Sequence, residues 1–203
     1  MNATVAKTIG HPLLPLLPRF QQKGAMLYHA PSTGVLRGIY LEDSGFDKEA
    51  FYVWTFFLPL YVPAAHVSFT FGKRLVEGKR WKMDAIGDNL KEAVRDEALP
   101  FLNRAETAAD FAEIVGEIAE SPRDPYVIQG RAYSLAKADD RIAAIAELKE
   151  LVTVLQGMNG LPWVSEMLGR TQKFMKQLAE APAQAKQSLT DWETTTRKNL
   201  RLA

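Results

Sequence analysis

The chain contains no cysteine. That excludes disulfides, thiolate nucleophiles and every zinc site built on sulfur. It also fits a reducing compartment, so the expected location is cytoplasmic. Histidine is almost as scarce. His11, His29 and His66 share no spacing that a helix or strand would use to bind one metal, and no H-E-x-x-H pattern occurs. No metal and no other cofactor is expected. The nucleophile elbow G-x-S-x-G, the dinucleotide fingerprint G-x-G-x-x-G and the phosphate-cradling G-x-x-x-x-G-K-[ST] are all missing. No catalytic residue is therefore assigned.

Charge is missing too, over one long stretch. Phe51–Gly72 runs for 22 residues without Asp, Glu, Lys or Arg. A membrane span needs about 20 apolar residues. Pro59 and Pro63 would break such a helix, and the aromatic and β-branched content favours strands. We read the run as two buried strands joined by a proline-rich loop, with no membrane contact. The first 20 residues hold a short apolar run broken by Pro12, Pro15 and Pro18, and we read them as part of the folded protein and not as a signal peptide.

What is present is an ordinary globular composition, 47% hydrophobic and 24% charged over 203 residues. The net charge of +1 is unevenly spread. Ten Lys/Arg stand against five Asp/Glu before residue 84, and fifteen against nineteen from residue 84 on. Near Trp81 the texture changes. Before it Phe, Tyr, Val and Gly are dense; after it Ala, Glu, Leu and Lys dominate.

These patterns predict an α+β fold. Residues 1–83 form a β-rich region with an N-terminal helix, and residues 84–203 form a helical region, the two packed together as one unit. The N-terminal helix is placed at Pro12–Gln22, with Leu13, Leu16, Leu17 and Phe20 on one face. Three or four antiparallel strands follow, at Ala25–His29, Val35–Leu41, Phe51–Leu58 and His66–Phe71. The last alternates cleanly, with Val67, Phe69 and Phe71 on one side and Ser68 and Thr70 on the other.

Helical periodicity then takes over. Asp84–Ala105 repeats apolar residues at Ile86, Leu90, Val94, Ala98 and Leu102, with Pro100 a kink or break. Thr107 caps a second helix, with Asp110 completing a variant capping box. Tyr126–Lys137 and Asp139–Gln156 form a hairpin, stopped by Gly157, Asn159, Gly160 and Pro162. Trp163–Glu180 and Ala183–Leu200 complete about six helices with short connections, as in a bundle.

Two segments carry the candidate binding chemistry. The loop Pro59–Ala65 is stiffened by two prolines, which reduces the entropy lost on binding. Tyr61 and Val62 would be anchors there, with Trp54 before them and His66 opening the strand after them. Lys73–Lys82 (KRLVEGKRWK) holds five cations and one acid in ten residues. Lys73, Arg74, Lys79 and Arg80 would steer a partner, and Trp81 could stack on one. Aromatic and arginine anchors are what protein interfaces use most. The expected function is a non-enzymatic protein-interaction module. The alternative is nucleic-acid binding through residues 73–82, and a third is an enzyme whose site joins His66 to acids of the helices.

Two resemblances add to this. Tyr126, Gly130, Ala132, Tyr133 and Ala136, with Ile142, Ala143 and Ala146, resemble one tetratricopeptide unit. The match occurs once, and an array needs about three repeats, so it implies a helical hairpin and no peptide groove. The stretch FYVWTFFLPLYVPAAHVSFTFGKRL is similar to uncharacterised bacterial proteins. Some small α+β proteins of that kind are similar to immunity or defence-associated proteins. The resemblance implies a bacterial toxin or defence component as partner and brings no catalytic residues.

Overall fold

Asn2 decides where the first helix begins. Its side chain accepts a hydrogen bond from Val5 N at 2.9 Å, capping helix α1 at Ala3–Gly10. The prolines that follow cannot donate to a helical ladder, and His11–Leu16 tightens into a 3₁₀ segment. Phe20–Gln22 is drawn into strand β1 instead. The expected helix over Pro12–Gln22 is thus corrected to an earlier helix, a 3₁₀ turn and a strand. The computed structural model describes residues 1–83, 87–158 and 160–202.

The fold is α+β, as the sequence patterns predict. The strands are β1 (Phe20–Lys23), β2 (Met26–His29), β3 (Val35–Asp43), β4 (Ala50–Pro59), β5 (Gly72–Arg74) and β6 (Trp81–Lys82). They form an antiparallel sheet in the order β1-β2-β3-β4-β5, with β6 also paired to β4. Phe56 opposes Gly72, Trp54 opposes Arg74 and Phe51 opposes Trp81. β5 and β6 therefore follow one another along β4, interrupted by the excursion Leu75–Arg80.

His66–Phe71 is not a strand, despite its alternation. Phe57 N still bonds Phe71 O at 2.9 Å. Continuing the same register would oppose residues 66–69 to residues 59–62. Pro59 has no N–H to offer there, and Pro63 breaks the chain again just beyond. The pairing stops at Gly72–Arg74 for want of donors.

The helical part begins with α2 (Asp88–Ala93), passes through a π turn at Val94–Ala98 and continues as α3 (Leu99–Leu102). The wide turn sits just before Pro100, which lacks the N–H an α-turn would need. The expected helix start at Asp84, with Ile86, and Asn159 in the expected stop lie outside the described residues. Then come α4 (Ala108–Ile118), α5 (Pro125–Lys137), α6 (Arg141–Gln156), α7 (Pro162–Glu180) and α8 (Pro182–Asn199). Thr107 and Asp110 form the reciprocal capping box. Asp140 caps α6 through Ala143 N at 3.1 Å. None of the helices is long and apolar enough to cross a membrane, among the described residues.

The chain divides into two compact units. One comprises Met1–Leu58 and Phe71–Glu106; the other comprises Pro59–Thr70 and Thr107–Ala203. In the first, α3 covers one face of the sheet. Phe57 lies 5.1 Å from Phe101, and Arg37, 6% exposed, donates to Leu102 O at 3.3 Å and pairs with Glu106. A cation at those last carbonyls favours the helix end. In the second unit consecutive helices α4 to α8 pack side by side, and α5 also meets α8. The change of texture at Trp81 marks the passage from strand to helix.

Candidate functional site

Period two along β4 separates its residues onto two faces. Phe51, Val53, Thr55 and Phe57 point one way and are buried. Tyr52 and Trp54 point the other way and are half-buried. Arg74, opposite Trp54 in the register, joins them. Its guanidinium lies 3.9 Å from the Tyr52 ring centroid and 5.1 Å from that of Trp54. Glu42 of β3 holds both partners, accepting from Trp54 Nε1 at 2.8 Å and pairing with Arg74 at 3.7 Å.

The result is an ordered stack of a tyrosine, a tryptophan and an arginine around one carboxylate. Cation–π contact of this kind contributes about 0.5–1 kcal/mol at exposed sites. The β3–β4 hairpin that carries Glu42 presents Phe46 at its tip, 95% exposed. Ser44 Oγ accepts from Phe46 N and Asp47 N at 3.4 and 3.3 Å, which organises the tip. Lys82 binds Asp47 at 2.7 Å from the other side. That contact, with Glu49 N, holds the Asp47 carboxyl below its usual range.

The basic segment is resolved by the same alternation. Lys73 stands opposite Thr55, away from Arg74, and its Nζ lies 5.0 Å over the Phe101 ring. Leu75 N bonds Val53 O at 2.7 Å, and a turn closed by Lys79 N on Val76 O follows. Val76 and Gly78 take positive φ in that turn. Lys79 and Arg80 are exposed. Trp81 is 4% exposed, with Lys79 Nζ 3.9 Å over its ring. Trp81 is thus a core residue facing the same way as Phe51 and not a surface for stacking, which corrects the expectation for it.

Tyr61 is corrected in the same sense. It is fully buried in the helical unit, with its hydroxyl 2.7 Å from Ser134 Oγ. Burial drives its pKa well above the usual phenol value. The loop around it is read by α8. Thr196 Oγ1 donates to Val62 O and accepts from Ala64 N, both at 3.2 Å, and Asn199 Nδ2 donates to Ala64 O at 3.0 Å. Lys137 lies 5.8 Å over the Tyr61 ring and pairs with Glu193 at 3.1 Å. Burial pushes the Glu193 carboxyl up, but hydrogen bonds from Arg197 and Lys137 outweigh it and leave the pKa lowered. Val62 is half-buried and His66 exposed.

Of the predicted residues, Trp54 and Arg74 come together. Tyr61 and Val62 belong to the helical unit's own packing, Trp81 to the core beneath the sheet. No family, no curated protein and no solved structure matches the chain. The site therefore rests on its own geometry. Among the described residues no three His, Asp or Glu side chains gather as a metal donor set. Sequence reasoning missed Glu42, Tyr52 and Phe46. Tyr52 was accessible to it, two residues from Trp54 on an assigned strand. Phe46 carried a weaker signal, an aromatic inside a polar Ser-Gly-Phe-Asp turn.

Proposed function

We propose that the chain is a non-enzymatic interaction protein that grips a protein partner on the face made by Tyr52, Trp54 and Arg74, with Phe46 as a second anchor. The stack of Arg74 on Tyr52 and Trp54, held by Glu42, carries this reading. Trp, Tyr and Arg dominate the binding energy of protein interfaces. Fixing their rotamers beforehand spares about 0.5–1.5 kcal/mol per side chain on association. Charge decides the class of partner. Glu42 neutralises Arg74 within the stack, so the face does not collect phosphates as a nucleic-acid surface does. With Trp81 buried, residues 73–82 also lack their aromatic. A partner would lay a flat apolar or amide surface on the stack. A bacterial toxin or defence component is the biological class that the sequence resemblance supports.

The test is affinity capture from the native cells with and without nuclease, repeated with Trp54→Ala and Arg74→Ala. The captured protein is then titrated against each purified variant. Each substitution is expected to weaken binding by tenfold or more, about 1.4 kcal/mol, with circular dichroism unchanged. Equal affinity of folded Trp54→Ala and parent would refute the assignment. Captured nucleic acid, lost on nuclease treatment, would move the function to Lys79 and Arg80.

A further inference from the structure

A cleft of about 410 Å³ opens between the start of α1 and the β3–β4 hairpin. Small-molecule sites occupy about 300–1,000 Å³, so there is room for a ligand. Asn2 and Val5 line it from α1, and Asp43, Ser44 and Lys48 from the hairpin. Met83, the residue after β6, completes the wall. All of these belong to the first compact unit. Tyr52, Trp54 and Arg74 do not line the cleft, so it is separate from the aromatic face.

The two carboxylates of the cleft are already matched. Asp43 pairs with the Met1 amino group. Asp47 pairs with Lys82 at 2.7 Å and accepts from Glu49 N at 3.0 Å. Lys48 is exposed and has no ion pair among the described residues. Ser44 is 6% exposed. Its Oγ accepts from Phe46 N and Asp47 N, but its own proton finds no acceptor among the described residues. A buried donor in that state is costly, and a ligand that accepts from it relieves the cost. Asn2 Oδ1 is held by Val5 N at 2.9 Å, which leaves the Asn2 Nδ2 to donate. The groups without a partner are thus donors, and the helix that begins at Ala3 sets the positive end of its dipole beside them.

The rest of the lining is apolar. Met1, Val5 and Met83 are half-buried and leave part of their surface for an occupant to cover. The fitting ligand has oxygen lone pairs at one end and a short apolar body at the other. We propose that the cleft binds a monocarboxylate with a short aliphatic group, its oxygens on Ser44 O–H, Lys48 Nζ and Asn2 Nδ2 and its chain against Val5 and Met83. A dianion such as phosphate is disfavoured, because Lys48 is the one unmatched cation among the described lining residues and Asp43 and Asp47 stand beside it. A free branched-chain acid carries this chemistry, and so does the C-terminal residue of a peptide.

The test follows the ¹H–¹⁵N amide resonances of Gly45, Phe46 and Asp47 in the full chain. Sodium isovalerate, N-acetylvaline or the neutral N-acetylvaline methylamide is added at constant ionic strength. The site predicts saturable shifts with either carboxylate and none with the methylamide. The tighter binder of the two distinguishes a free acid from a peptide terminus. Lys48→Gln, at an exposed position, should weaken that carboxylate several-fold with the unfolding midpoint unchanged. Ser44→Ala should weaken it as well, but it also removes the acceptor for Phe46 N and Asp47 N, so Lys48→Gln decides where that variant fails to fold. Isobutylammonium shifting these amides in place of isovalerate would overturn the proposal and make the acids the binding groups. So would the absence of a saturable response to both carboxylates, or a folded Lys48→Gln that binds the tighter one as the parent does.

Discussion

The Tyr61 hydroxyl offers a prediction whose sign depends on which way a proton points. Ser134 Oγ donates to Gly130 O at 2.6 Å. A serine hydroxyl has one proton, so at the 2.7 Å contact with Tyr61 it must accept. Tyr61 is then the donor. Ser134→Ala leaves that phenol O–H buried with nothing to bond, a cost of about 1–3 kcal/mol. Tyr61→Phe removes the donor itself and leaves only a spare lone pair on Ser134, so its cost falls near 1 kcal/mol or below. In the double variant no orphan donor remains. Adding Tyr61→Phe to Ser134→Ala should therefore recover stability, although each change alone destabilises. Urea unfolding of the four proteins closes the double-mutant cycle. Hydrogen exchange of the α5 amides localises the effect to the helical unit. If Tyr61→Phe costs more than Ser134→Ala, or the double variant is the least stable of the four, the assigned direction is wrong.

A Cβ at Gly38 would meet Leu27 O and the Phe56 ring at 2.8 Å. The ring can shift but the strand backbone cannot, so Gly38→Ala should cost about 1–3 kcal/mol by denaturant titration. His29 has its pKa lowered by burial first, then by Arg37 and Arg19, with Glu106 opposing. Below the unfolded value of about 6.5 the unfolded chain binds the extra proton. Stability should thus fall as the pH drops from neutrality through that value toward the lower folded one. His29→Gln should flatten the slope in a pH series of unfolding curves.

The elements were legible where local rules act alone. Alternation and turn residues located β3 and β4. Thr107 with Asp110 announced a helix start, and Pro162 another. Burial was not legible, for a reason visible in β4. Both of its faces are apolar, with Phe51, Val53 and Phe57 on one and Tyr52, Trp54 and Phe56 on the other. Period two says that Trp54 and Thr55 point apart; it cannot say which direction is covered. Tyr61 and Trp81 failed in the same way, each an aromatic in a loop-like context, Tyr61 meeting Ser134 of a distant helix and Trp81 pairing beside Phe51 across the sheet.

The basic segment shows the electrostatic form of this limit. Its cations read as an additive field because their neighbours in sequence are cations. In space, Arg74 faces Glu42 and Lys82 faces Asp47, both acids of the β3–β4 hairpin. An opposite charge at such short range turns a steering charge into a local pair, although a pair this exposed adds little to stability. The same pairing that weakens the case for nucleic acid holds Arg74 over Tyr52 and Trp54, and so creates the ordered face. Severing it with Glu42→Gln should leave the aromatic residues in place but free the arginine. Partner affinity should fall through lost order, while association gains a dependence on salt that the parent lacks. A Glu42→Gln protein that binds as tightly as the parent would show that the carboxylate plays no part in arranging the interface.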